Sequence, residues 1–366
     1  MSIPSRGILG FILIEGLLFF FVISCSSPMG SRQSSETQFM VVYPNSGNML
    51  YLVDYNTYEI AREITVEIPD SLGIDRMCLS TDKDFFVFAA ATRGKPPFSH
   101  HIISYSIDKD SGYNIFPTGL DSVGAPRMTA AHIPDEPGLI YLYSHNVGLY
   151  AINFLTEEVE MISTTEFSVD MKFHHSSDKQ WIVITRYIPD YTEIEFYDTS
   201  FGLNNIQSVL NENDRDSVNV KDLAFSEDNK QLYISYLLSQ RRAVGIAAYF
   251  GSYDLETKKL NPSRVTLPWS VNPYYIAYSP KRHEAYLVGA QDKFYIVDTS
   301  TKDYRLKAVV NLTGKVPSPS EILLGPDENV AFVSCIYSNF VIAIDLDQRQ
   351  ILKKIELDAP MVMILL

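Results

Sequence analysis

The chain has 366 residues, 46% of them hydrophobic, 20% charged and 12% aromatic, a composition that can bury a large core and excludes a disordered or collagen-like polymer. Thirty Lys and Arg against 44 Asp and Glu leave a formal charge of −14, which repels phosphate backbones and anionic headgroups and argues against nucleic acid as a partner. Three cysteines, Cys25, Cys78 and Cys335, are too few for a disulfide scaffold and lack the paired spacing of a zinc site.

The first element in chain order is a leader. Met1–Gly7 carries one basic residue, Arg6, and Ile8–Ile23 is apolar apart from Glu15. That stretch is short for a membrane-spanning helix and suits the core of a signal peptide. Val22-Ile23-Ser24-Cys25 resembles the lipobox of bacterial lipoproteins, in which the cysteine is lipidated and becomes the first residue of the mature chain. The resemblance implies a signal peptide over residues 1–24, a lipid on Cys25, and a cell-envelope location with the membrane as a partner through the anchor. Ser26 after the cysteine resembles lipoproteins sent on to the outer membrane in hosts that have one. An ordinary signal peptide or an uncleaved signal anchor is the alternative, and it too puts the rest of the chain outside the cytoplasm. Residues 26–38, rich in Ser with Gly and Pro, read as a flexible tether.

From residue 39 onward, short β-branched and aromatic runs bounded by turn residues follow one another, among them Met49–Val53, Phe85–Phe88, Leu139–Tyr143, Trp181–Ile184, Leu232–Tyr236, Ala285–Val288 and Ala331–Ser334. This is the pattern of many short strands. A repeat underlies it. An apolar strand, a Ser or Gly turn and an aromatic seven places later recur at Ser226 with Tyr233, Ser279 with Tyr286 and Gly325 with Phe332. Related turns at Ser80, Ile133 and Ser176 give intervals of 53, 43, 50, 53 and 46 residues. Strands ending in Asp follow at Asp54, Asp198, Asp298 and Asp345, where Asp is expected to cap its own turn.

A four-stranded unit at this period predicts a β-propeller. Residues 39–366, shared among seven units, give about 47 each. Residues 38–43 read as a second strand and Ala359–Leu366 as a first strand, so the two chain ends complete one blade and remove the open edges. The expected fold is therefore an all-β, seven-bladed propeller of four-stranded blades, closed by the C-terminal strand joining the N-terminal blade. Leu50-Tyr-Leu-Val-Asp54 with Thr57, and Phe294-Tyr-Ile-Val-Asp-Thr299, resemble the YVTN-type seven-bladed propellers of bacterial surface and periplasmic proteins. That resemblance implies fold and says little of function, because such propellers include both enzymes and binding scaffolds.

Alignment of the turns places Arg76, Thr129, Lys172, Asp222, Tyr275 and Glu321 at the start of successive innermost strands. They form a candidate ring at one channel mouth, either ion-paired with one another or holding a ligand. The loops Asn211–Asn219, with Asp214 and Asp216, and Leu237–Gly245, with Arg241 and Arg242, are expected to approach each other as ion pairs or as a charged docking patch. His100 and His101 are placed in the corresponding loop of blade 2 and His145 in that of blade 3, without the spacing that a metal site requires. His174 and His175 are adjacent on a strand and point to opposite faces. No haem-attachment, nucleophile-elbow, zinc-protease or phosphate-loop motif is present in the sequence. Cys78 and Cys335 are expected as buried free thiols, and no cofactor or metal is called for. Three functions remain: a non-catalytic binding or scaffold module for an envelope protein, glycan or small ligand; a propeller hydrolase of the lactonase type with its site at the channel mouth; and an assembly partner in an envelope complex.

Overall fold

Short runs of β-branched and aromatic residues, punctuated by Ser, Asp and Gly, give strands throughout and no helix among the described residues. The structure is a computed structural model. It describes residues 38–366 apart from 45–47, 81, 95–96, 108–112, 123–125, 131–137, 145–147, 164–169, 177–180, 189–190, 199–201, 210–215, 241–245, 269–272, 290–291 and 313–318. Some strand residues, including Arg76, Thr129, Lys172, His175 and Asp216, are described by their backbone alone.

The described strands form seven antiparallel sheets. Sheet 1 holds β1 (Phe39–Pro44), β2 (Met49–Asp54) and β3 (Ile60–Thr65). Sheet 2 holds β4 (Leu72–Leu79), β5 (Phe85–Thr92), β6 (Phe98–Ser106) and β7 (Tyr113–Ser122). In sheet 3 are β8 (Pro126–Ala130), β9 (Leu139–Ser144), β10 (Gly148–Asn153) and β11 (Glu158–Ser163). Sheet 4 follows with β12 (Asp170–His175), β13 (Trp181–Ile188), β14 (Tyr191–Asp198) and β15 (Gly202–Val209). Sheet 5 has β16 (Asp216–Phe225), β17 (Gln231–Gln240) and β18 (Ile246–Asp254), with its outer strand split into β19 (Lys259–Leu260) and β20 (Val265–Thr266). Sheet 6 comprises β21 (Pro273–Ser279), β22 (Glu284–Gly289), β23 (Lys293–Asp298) and β24 (Arg305–Asn311). Sheet 7 comprises β25 (Pro319–Leu324), β26 (Val330–Cys335), β27 (Phe340–Asp345) and β28 (Gln350–Glu356). The last strand, β29 (Pro360–Leu365), leaves sheet 7 and pairs with β1, Met40 opposite Leu365 and Val42 opposite Met363.

Apolar packing lies between the sheets rather than at one centre. Sheets 1 and 2 share Val41, Tyr43, Phe86 and Phe88, and sheets 6 and 7 share Tyr286, Phe294, Val333 and Ile342. Sheets 7 and 1 share Phe332, Val341, Met40 and Val53 in the same way. Each sheet thus buries both faces, which explains the continuous apolar runs of the middle strands. Backbone groups are satisfied across the sheets as well: buried Thr192 in β14 donates to Val218 O at 2.9 Å and accepts from Val220 N at 3.0 Å in β16. The first strands of consecutive sheets are neighbours, β4 with β8, β8 with β12, β12 with β16, β16 with β21, β21 with β25, β25 with β29, and β29 with β4.

Turns repeat as the sequence suggests. Asp54 Oδ1 accepts from Asn56 N and Thr57 N, Asp254 Oδ1 from Thr257 N, Asp298 Oδ1 from Ser300 N, and Asp345 Oδ1 from Gln348 N. Four places beyond the cap, Tyr58, Glu157, Lys258 and Arg349 all have φ between 55° and 62°, the left-handed position that closes such a turn. Two loop expectations need correction. β16 and β17 pair from Asp216 opposite Gln240, so Asp216–Asn219 and Leu237–Gln240 are strand, not loop; the alternating apolar positions Val218, Val220 and Leu238 are buried and draw the hairpin out. His100 and His101 likewise stand within β6, opposite Ala91 and Ala90.

Candidate functional site

The innermost strands β4, β12, β16, β21 and β25 carry Arg76, Lys172, Asp222, Tyr275 and Glu321 respectively. Beside four of these residues the ladder shifts register, at Ile74/Arg76, Val220/Asp222, Pro273/Tyr275 and Pro319/Glu321, and such bulges re-aim the side chains next to them. Two carboxylates meet the adjacent strand. Asp222 Oδ2 accepts from Ile276 N at 2.8 Å, and Glu321 Oε2 accepts from Met363 N at 2.6 Å. The two sites are equivalent: each links one innermost strand to an outward-facing amide of the next, which no ladder partner reaches. His174 Nε2 also stands 3.1 Å from Asp222 Oδ1, near but out of hydrogen-bonding alignment. Tyr275 is half-buried. The side chains of Arg76, Lys172 and Asp216, like Cys25, Asp214, Arg241, Arg242 and His145 altogether, lie outside the described residues.

His100 is buried, and burial pushes its imidazole down to about 4, with Asp121 opposing the shift and His101 adding to it. His101 Nδ1 lies 3.2 Å from Ser99 O. Cys78 and Cys335 are buried thiols joined in no disulfide, and burial pushes the Cys335 thiol up to about 12. Among the described residues no three His, Cys, Asp or Glu side chains gather as metal ligands.

At the other end of the strands, where turns join first to second and third to fourth, a cleft of about 370 Å³ opens between sheets 5 and 6. Its position follows from one residue. In each of five sheets the residue after the third strand donates its N–H to the residue before the second: Ile107 to Asp84, Phe154 to Gly138, Leu255 to Lys230, Thr299 to His283 and Leu346 to Asn329. These five positions are therefore equivalent. The other side chains fill the junction with the preceding sheet: Ile107 joins the core between sheets 1 and 2, Leu346 that between 6 and 7, and Phe154 meets Phe85 with ring centroids 5.6 Å apart. Tyr55, following β2, does the same against Phe332 at 5.8 Å. Thr299 is the smallest of the set, and the cleft is the space it leaves.

Around that space, Tyr233 and Tyr278 pack with ring centroids 4.6 Å apart, and the Tyr304 hydroxyl lies 2.7 Å from Ser252 Oγ. Burial, then Tyr278 and Tyr304, push the Tyr233 phenol far up, and burial raises that of Tyr278. Both are therefore neutral hydrogen-bonding groups. The Thr299 hydroxyl is near enough to both phenols to oppose part of that shift, yet it is buried with no partner of hydrogen-bonding geometry among the described residues. Asp228 accepts from Ser226 Oγ at 2.7 Å, which holds its carboxyl below the usual range.

No protein-family model matches the sequence, and no curated protein matches it. Solved structures do match. Hydrazine synthase of Kuenenia stuttgartiensis is similar with a TM-score of 0.63 at 17% identity, over 83% of this chain and 91% of that one. The periplasmic gluconolactonase of Pseudomonas aeruginosa gives 0.63 at 13% identity, over 90% and 99%. A Bacteroides fragilis protein described as a candidate 6-phosphogluconolactonase gives 0.62 at 13%, over 92% and 100%. The fold is a β-propeller. At these identities the likeness is one of fold alone.

Sequence reasoning about this propeller located the polar starts of the innermost strands but not their partners, since a carboxylate bonded to a backbone amide 54 residues away leaves no local pattern. The cleft was missed for a different reason. The column of residues after each third strand reads Tyr55, Ile107, Phe154, Thr199, Leu255, Thr299 and Leu346 in the sequence, so a small residue there was legible at two places, and the column is apparent only once that residue is known to face the preceding sheet.

Proposed function

We propose that this chain is a seven-bladed propeller, closed by β29 beside β1, that works as a binding or scaffold module for an envelope protein, glycan or small ligand. It is held at the cell envelope by a lipid on Cys25 after removal of residues 1–24. Seven sheets, the cyclic order of their first strands and the apolar packing between sheets 7 and 1 support the ring. The observation that carries the binding reading is the engagement of Asp222 and Glu321, the acidic groups of the channel mouth, with backbone amides of the next strand. Carboxylates used in this way serve the frame rather than proton transfer. The paired hairpin β16–β17, which sets Asp216 opposite Gln240, the residue that precedes Arg241 in the chain, supports a charged docking patch with Asp214, Arg241 and Arg242.

A lactonase is the second reading, favoured by the His174–Asp222 approach at 3.1 Å and by the likeness to gluconolactonases. Lactone hydrolysis separates the two. With glucono-δ-lactone and 6-phosphogluconolactone, the binding reading expects only the spontaneous rate. A protein-dependent rate that falls at least a hundredfold in Asp222→Asn and His174→Gln would install the lactonase in its place. Recovery of envelope partners by the native chain, lost in the Arg241→Ala, Arg242→Ala double variant, is the result expected of the docking patch; equal recovery removes it. The anchor is tested by Cys25→Ser, which is expected to leave the membrane fraction.

A further inference from the structure

We propose that the cleft between sheets 5 and 6 binds a neutral sugar, one or two pyranose rings in size, at the end of the propeller opposite the channel mouth. The inference deepens the binding reading and rests on it for its biological sense, but its geometry stands apart from Asp222 and Glu321.

Size comes first. About 370 Å³ is at the lower end of the range of roughly 300–1,000 Å³ that holds small ligands, too small for a folded partner and right for a ring or two. The cleft is open on one side, so a longer glycan can end in it.

Chemistry selects among ligands of that size. An organic cation would need ring faces set apart around it, whereas the Tyr233 and Tyr278 rings close on each other at 4.6 Å. A phosphate or other anion would need a basic cluster; the lining has Lys302 alone against Glu227 and Asp228. A purely apolar ligand would take water from the Glu227 and Asp228 carboxylates and the Gln231 amide of the lining without replacing its hydrogen bonds. What remains is a ligand with an apolar face and many neutral hydroxyls. The half-exposed ring of Tyr278 offers a flat apolar surface. The Tyr278 phenol offers a hydroxyl that both donates and accepts, the Gln231 amide offers donors, and the carboxyl oxygens of Asp228 and Glu227 offer acceptors for a vicinal diol. Cleft walls that are already held in place, Asp228 by Ser226 and Lys230 N, Tyr304 by Ser252, lower the ordering cost of binding.

The test uses the full chain and saturation-transfer NMR with a defined panel: methyl glucoside, methyl galactoside, N-acetylglucosamine, maltose and maltotetraose, with glucose 6-phosphate and choline as charged counterparts. At least one neutral sugar is expected to bind, with neither charged probe binding tighter. Maltotetraose binding more tightly than maltose would mark a glycan end as the ligand, and equal binding a free sugar. Thr299→Leu, which installs the side chain found at the equivalent Leu255 and Leu346, is expected to weaken the best sugar at least tenfold. Tyr278→Phe is expected to weaken it three- to tenfold and serves where the first variant does not fold. Absence of binding by every neutral sugar, tighter binding of a charged probe, or unchanged affinity in a folded variant overturns the proposal. These outcomes are independent of lactone hydrolysis, so the cleft and the binding reading fail separately.

Discussion

Two junctions of the propeller share one construction and differ in how they are filled. Between sheets 7 and 1, Glu321 bonds Met363 N at one end, and at the other the Tyr55 ring packs on Phe332 and gives its hydroxyl to Asp327. Between sheets 5 and 6, Asp222 bonds Ile276 N in the same way, but Thr299 takes the place of Tyr55 and Ser226 that of Gly325. The turn residue matters because a Cβ at Gly325 would stand 2.5 Å from Tyr55 Cε2 and hydroxyl. At Gly325 the Tyr55 ring lies directly over the turn. At Ser226 the turn hydroxyl is engaged by Asp228 and the opposing side chain is the small Thr299. The amide staple is thus common to both junctions, and the cleft is a local departure in packing at one of them.

The largest expected effect comes from emptying the filled junction. Tyr55→Ala should cost about 3–5 kcal/mol by urea unfolding, as for other buried aromatics cut to alanine; a loss under about 1 kcal/mol would mean that the ring does not fill this junction. Next is Gly325→Ala, expected to cost about 1–3 kcal/mol through overpacking. The same change in the Tyr55→Ala background should cost much less, because the atoms it strikes are gone. Additive losses would show that glycine serves the backbone and not the ring.

A pH effect separates junction packing from the rest of the propeller. His100 in sheet 2 is held at about 4 in the folded chain against 6.5 in the unfolded one. Between those values the unfolded chain binds the extra proton, so stability is lost as pH falls from about 6.5 to 4, by at most about 1.4 kcal/mol per pH unit. His100→Gln should flatten this slope, and Thr299→Leu should leave it as it is. A slope unaffected by His100→Gln would locate the titration elsewhere. The smallest expected effect is that of Thr299→Leu itself on stability, a gain of up to about 1 kcal/mol from added apolar burial, read as a rise in the thermal midpoint. A loss above about 1 kcal/mol would show that the space between sheets 5 and 6 is not open to a leucine.

Much of the strand pattern was legible in the chain. The Asp caps at Asp54, Asp298 and Asp345, the prolines opening β21, β25 and β29, and the Ser or Gly turns all act within a few residues, and local hydrogen bonding leaves a local signature. The long β16–β17 hairpin was not legible, since Asn, Asp and Ser around residue 215 read as loop while the burial of Val218 and Leu238 against neighbouring strands extends the pairing. The candidate ring at the channel mouth was legible as positions only. Its described carboxylates found amides, a class of partner that every residue carries and no residue type advertises.

The sequence by itself determined the all-β class, the repeating unit and its turns, because side-chain alternation and turn chemistry are properties of neighbours along the chain. The tertiary structure decided which side chains meet across the sheets: Asp222 with Ile276 N, Tyr55 with Asp327 272 residues away, and Thr299 with a space instead of a core. Those contacts depend on how each sheet seats against the one before it, and that packing is set by side chains brought together from different repeats.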